Sequence, residues 1–272
     1  MESPPNDPVA RWRWRFATAN DRTLQRDHAA ELAFWEQRAE HYEAHSLARR
    51  LPALVERVVA LAGPPGRLLD LGCGVGSFAL PLAAAGHHIT AVDQSPAMLA
   101  VFRRRLSGAK LVIRLVQARI EQLLTTPHDV VLAANALYRI ADPAPVLAAI
   151  HRWARRRVIV VWSVGRPPAW KVAAREQIAP GRYRPGPDYH DLLAVLWSLG
   201  CRPTVEMFWH PVEARYPDVP SAAAALLDWE HPTAEEQRAA EEVVVTLFER
   251  RSDMLVRPSH ETVALLHWEP PA

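Results

Sequence analysis

A glycine-alternating turn between an apolar strand and a helix constrains this chain more than any other feature. Residues 68–78 read Leu-Leu-Asp-Leu-Gly-Cys-Gly-Val-Gly-Ser-Phe. Leu68, Leu69 and Leu71 make an apolar strand with Asp70 near its end, and Gly72, Gly74 and Gly76 carry the turn that follows. Glycine is needed where the backbone takes φ > 0 or must touch a ligand. An alternating segment, Ile89 to Asp93, then ends in a carboxylate. Its distance from the turn, about twenty residues, is the one at which an acid on the next strand meets ribose hydroxyls. Strand, glycine turn, helix, strand and carboxylate together predict a nucleoside held over the edge of a parallel sheet.

The dinucleotide fingerprint G-x-G-x-x-G/A is not met, because Ser77 stands at the sixth position from Gly72. The spacing is G-x-G-x-G, with an acid two residues ahead of the first glycine. It resembles motif I of the class I S-adenosylmethionine-dependent methyltransferases, small-molecule type. Val92-Asp93-Gln94-Ser95-Pro96-Ala97-Met98-Leu99 is similar to that family's second strand and following helix, and the likeness covers roughly residues 30–165.

The resemblance implies an α/β fold with a doubly wound, mostly parallel, seven-stranded sheet. It also implies S-adenosylmethionine as cofactor. Asp70 and the backbone at Gly72, Gly74 and Gly76 are expected at the methionine end, Asp93 at the ribose, and Gln94 and Met98 against the adenine. In Val116-Gln117-Ala118-Arg119-Ile120-Glu121 the chain departs from the pattern. Arg119 stands where the family usually has an acid that accepts from the adenine amino group, and arginine cannot accept. That leaves the adenine to the backbone near Ile120 or to Gln117. Asn135, after the fourth strand, is expected to meet the methionine amino group through its backbone, and Tyr138 to line the substrate pocket. Tyr42, in a segment similar to the family's lid helix, is expected over the cofactor.

Composition narrows the function classes. With 32 basic and 30 acidic residues the net charge is +2, which gives no global footprint for nucleic acid. Cys73 and Cys201 are the two cysteines, and Cys73 lies inside the glycine turn, so the expectation is a reducing cytoplasm and no disulfide framework. The N-terminal residues do not read as a signal peptide, and no apolar run reaches the length of a membrane span. Abundant Ala, Arg and Pro suggest a GC-rich bacterial source. The histidines are scattered, no metal-ligand spacing occurs, and no metal is expected.

Along the chain, α/β alternation predicts strands near 67–71, 89–93, 111–116, 129–134, 157–163, 203–209 and 263–268. Five units are expected: an arm over 1–25, lid helices over 26–62, a cofactor-binding core over 63–210, a helical cap over 211–258, and the last strand and C-terminus over 259–272. Residues 165–188 are read as a Pro/Gly-rich loop. Thr233-x-x-Glu236 is a capping box that starts a helix in the cap. An insertion after the sixth strand leaves from the ligand edge of the sheet, so the cap is expected to cover the acceptor pocket. Arg11-Trp12-Arg13-Trp14-Arg15-Phe16 reads as an arm whose rings dock on the domain, with a nucleic-acid stacking platform or membrane patch as the alternatives.

For catalysis, His190 is the expected base and Tyr138 a pocket residue. The expected function is methyl transfer to a small-molecule acceptor by in-line displacement. The alternatives are a nucleic-acid or protein methyltransferase that docks through the arm, and a non-catalytic cofactor-binding scaffold. A homodimer is left open.

Overall fold

The computed structural model describes residues 4–20, 24, 26–164, 167–227, 229 and 231–270. Five strands run parallel: β1 Arg67–Leu71, β2 His88–Asp93, β3 Ile113–Gln117, β4 His128–Ala134 and β5 Ala154–Val164. β6 Thr204–Tyr216 and β8 Met254–Trp268 close the sheet in the order β3-β2-β1-β4-β5-β8-β6. β8 is antiparallel to both neighbours, so β6 points the same way as β5. The chain steps outward from β1 through β3 and then returns to β4 beside β1. That reversal opens a crevice at the C-terminal ends of β1 and β4, where open α/β sheets hold ligands.

The sheet is doubly wound because its central strands are apolar on both faces. In β1, Leu69 and Leu71 enter one core cluster and Leu68 the other, following the two-residue period of a strand. α4 Pro52–Ala62, α5 Ala79–Ala84 and α6 Pro96–Leu106 cover the Leu68 face. α1 Pro8–Thr18, α7 Pro143–Trp153 and α9 Tyr189–Ser198 cover the other. Ser95 caps α6 by accepting from the Met98 N–H at 3.3 Å, with Pro96 at the first helical position.

The arm forms a docked helix. Asp7 caps α1 by accepting from the Ala10 N–H, and Pro8 opens the helix. Trp12 is 1% exposed, donates from Nε1 to the Ile140 carbonyl at 2.8 Å, and meets the edge of Trp162. Arg13 pairs with Asp142 at 2.7 Å and Arg15 with Asp191 at 2.5 Å. α2 His28–Arg38, the 3₁₀ turn Ala39–His45 and the one-turn α3 Leu47–Arg50 follow. The 3₁₀ turn is tied to the glycine loop: Ser77 Oγ donates to Glu43 at 2.6 Å, and Arg105 donates to both Glu43 and the Val75 carbonyl.

Three expectations change. The sheet has eight strands rather than seven, because β7 Glu249–Arg251 adds to the edge of β8. Residues 165–188 contain α8 Ala169–Ile178. The prolines 167 and 168 mark its start and not a continuing loop. Pairing of β5 with β8 stops at Thr262, but β6 and β8 continue together to Tyr216 and Leu255. This two-stranded ribbon joins α8, α10 Val219–Leu226 and α11 Ala234–Leu247 around a separate core that contains Leu226, Val244 and Phe248. The helices of 211–258 therefore spend their apolar faces on the ribbon and on α8. The capping box at Thr233 and Glu236 forms as expected.

Candidate functional site

A cavity of about 350 Å³ opens at the C-terminal ends of β1, β2 and β4. That volume lies in the range of small-molecule sites. Its inner half is lined by the glycine turn, Asp93 and the loop after β3. Its outer half is lined by the N-terminal segment, from Phe16 to Tyr42, and by residues 138–141 after β4. Among the described residues, none from 210–258 lines it. The N-terminal segment lines the outer half, where a cap from 211–258 was expected, and the described residues of the insertion pack on a core of their own.

Asp93, the last residue of β2, anchors the inner half. Its Oδ2 accepts from the Gly74 N–H and its Oδ1 from the Ser95 N–H, both at 2.8 Å. Burial pushes its carboxyl above the usual range, while those N–H donors act in the opposite direction. Gly74, at φ +53°, leaves open space where a side chain would stand, with only Tyr42 Cε1 within 4 Å, at 3.9 Å. Gly72 also lines the cavity, and a Cβ there would come within 2.5 Å of Ala136. A carboxylate fixed by two backbone donors beside a cradle that a Cβ would fill suits a ribose and its attached chain. Gln94, Ile120 and the buried Met98 complete the inner wall.

Asn135 takes φ +49°, a backbone region costly for a residue with a side chain. Its side chain bridges to β5, donating to Ser163 Oγ at 2.9 Å and accepting from the Ser163 N–H at 2.8 Å. With the side chain so engaged, Asn135 offers the cavity its backbone. Tyr138 lines the outer half, and burial, reinforced by Glu31, raises its phenol above the ordinary value. Tyr42 lines the cavity with its ring edge against Trp35.

Four expected residues, Gln117 among them, lie outside the lining. Asp70 is buried in the floor beneath the turn, and desolvation with the nearby Asp93 charge raises its carboxyl to about 8. Gly76 packs against α6, where a Cβ would fall 2.3 Å from the Phe102 ring, so it serves the packing and not the ligand. His190 sits in the first turn of α9 with its side chain 71% exposed beside Asp188, and it does not face the cavity.

The site also contains residues that sequence reasoning did not assign: Arg26, His28, Glu31, Trp35, Glu121 and Arg139. Glu121 pairs with Arg119 at 2.9 Å and brings an acid to the wall two residues beyond its expected place. Glu31 and Trp35 are four apart on α2, a spacing that faces them together, and Trp35 Nε1 donates to Glu31 at 2.7 Å. That much was open to helical periodicity. Arg139, from a distant loop, was not.

The family described as "Methyltransferase domain" matches residues 69–161, from β1 into β5. Over these residues the chain is similar to methyltransferase domains. The domain is 31% identical over 121 residues to the ubiquinone biosynthesis O-methyltransferase of Azotobacter vinelandii, covering 43% of this chain and 51% of that protein. The corresponding enzyme of Marinobacter nauticus is 32% identical over 123 residues, covering 43% and 50%. The chain thus spans about half the length of the curated relatives it matches. Solved structures of similar fold include a candidate methyltransferase from Bacillus halodurans, with TM-score 0.52, 17% identity and coverage of 80% of this chain and 99% of that one. The YcgJ protein of Bacillus subtilis gives TM-score 0.53, 14% identity and coverage of 80% and 98%. Identities this low show the domain's fold alone.

Proposed function

We propose that the protein transfers a methyl group from S-adenosylmethionine to a small-molecule acceptor. The observation that carries this reading is one continuous cavity with two unlike halves: Asp93 and Gly74 on the sheet side, and an aromatic, charged wall from the N-terminal segment on the other. The cofactor supplies a methyl on a positively charged sulfur; the acceptor's lone pair forms the new bond to carbon, and the electrons of the broken C–S bond stay on sulfur. In this reading Asp93 accepts from the ribose hydroxyls, the backbone at Gly72, Gly74 and Asn135 holds the methionine end, and Gln94, Met98 and Ile120 flank the adenine. The lid shuts water out, and alignment by such a site is worth on the order of 7–11 kcal/mol.

His28 is the only histidine among the described lining residues and takes the role of proton acceptor first assigned to His190. Residues 63–210 serve as the cofactor-binding core, and 1–62 as the arm and lid over it. The cavity is formed within one chain, so the proposal requires no second copy. Cys73 and Cys201 are both buried and unpaired, which supports a reducing, cytoplasmic setting. No helix of the described residues is long and apolar enough to cross a membrane. The relatives named for ubiquinone biosynthesis support an oxygen acceptor. Docking of nucleic acid through the arm is disfavoured, because Trp12 is buried and Arg13 and Arg15 are already paired.

Calorimetric titration with S-adenosylhomocysteine tests the reading. Binding is expected, with none to NAD. Asp93→Ala should weaken it about tenfold to a few hundredfold, the value of one or more hydrogen bonds to a charged group. His28→Ala should lower turnover and leave that affinity unchanged. Preference for NAD would overturn the reading.

A further inference from the structure

Among the described residues, the charges of the lid half do not balance. Glu31 is 2% exposed and receives two arginines, Arg26 at 3.1 Å and Arg139 at 3.5 Å. Its other oxygen is taken by Trp35 Nε1. Two guanidinium groups against one carboxylate leave a surplus of one positive charge. Arg139 Nη2 donates to the Arg26 carbonyl at 2.5 Å, and its Nη1, the atom that faces Glu31 at 3.5 Å, is buried without a hydrogen bond. The other carboxylates of the cavity do not supply the missing charge, since Asp93 is held by backbone donors and Glu121 by Arg119. A buried guanidinium lacking part of its compensation is costly, and an anionic oxygen acid is its best-matched partner, because the planar fork fits a carboxylate. The surrounding wall is aromatic, with Trp35, Tyr42 and Tyr138 in reach of the same space. Such rings favour a flat, conjugated body.

We infer that the methyl acceptor is a planar aromatic carboxylate whose acid group docks on Arg139, with Glu31 holding the two arginines in place when the acceptor is absent. The inference rests on the methyltransferase reading and names the acceptor class of that same cavity. It concerns binding alone and adds no chemical step.

The test uses the full chain saturated with S-adenosylhomocysteine and two probes of one shape, 2-naphthoate and 2-naphthamide, titrated by calorimetry. The carboxylate should bind about tenfold to a hundredfold tighter than the amide, as expected for losing charge-assisted hydrogen bonds. Arg139→Gln should erase that difference while S-adenosylhomocysteine still binds, which also shows that the variant is folded. Glu31→Gln keeps an acceptor for Trp35 and removes the internal counter-charge, so it should tighten naphthoate. Equal affinity for the two probes, no binding of either to the loaded protein, or an Arg139→Gln variant that keeps the preference would each overturn the inference. Failure of S-adenosylhomocysteine to bind the parent protein is a different result: it removes the methyltransferase reading itself, and the inference with it.

Discussion

Two glycines two residues apart do different work, and substitution separates them. Gly74 borders open cavity, so Gly74→Val should leave a folded protein with S-adenosylhomocysteine affinity reduced by at least about tenfold, from filled space and a strained left-handed residue. Gly76 faces the Phe102 ring at 2.3 Å, so Gly76→Val should lower the melting temperature or abolish folding through overpacking on top of the same strain, about 1–3 kcal/mol or more. Equal effects of the two on stability would refute the distinction. Asp70 belongs to the same scale. Its folded carboxyl is raised from 3.8 to about 8 by burial first and by Asp93 second. The folded state therefore holds a proton that the unfolded state has lost between those values, so the stabilising contribution is full below pH 4, and is lost as pH rises towards 8. The free protein should melt at falling temperature across that window, and Asp70→Asn, neutral throughout, should flatten the slope. An unchanged slope in thermal melts across the window would show that Asp70 is ionised in the folded protein.

At the scale of elements, α1 depends on one side chain. Trp12 fills a site between Ile140 and Trp162 that joins the helix to the loop after β4, the same loop that carries Tyr138 and Arg139. Trp12→Ala should cost about 3–5 kcal/mol, as for other buried aromatics, and should loosen the outer half of the cavity. Limited proteolysis should then cut within the N-terminal segment, with acceptor turnover falling more than S-adenosylhomocysteine affinity. Equal loss of both would place α1 in the cofactor site. The helices and strands of the core were legible because their signals are local: Ser95-Pro96 before α6, the capping box before α11, alternation in β2. α8 was not, since its apolar residues are buried only by the ribbon and by α10 and α11, far away in sequence.

At the scale of the whole molecule, the β6–β8 ribbon and its helices form a second core, and none of their described residues lines the cavity. Replacing residues 217–253 by a short turn joining β6 to β8 should expose Trp170 on α8 and reduce solubility. In the protein that stays folded, S-adenosylhomocysteine affinity and acceptor turnover should both remain within a few-fold of the parent. Collapse of turnover alone would return the insertion to the role of acceptor cap.

The sequence by itself determined the five parallel strands, their winding and the inner half of the cavity, because those rest on short-range patterns: an apolar strand, glycines at fixed offsets, an acid at the end of the next strand. Gly72, Gly74, Asp93, Gln94 and Met98 line the cavity for that reason. It could not tell a glycine that faces a ligand from one that faces Phe102, because both need the same backbone. It placed the cover on the insertion, where the topology allowed it, while tertiary packing placed it on the N-terminal segment. The outer half was decided only by folding. Glu31, Arg26 and Arg139 are brought together from opposite sides of the first four strands, and a charge surplus shared by residues 113 positions apart leaves no periodic trace in a sequence.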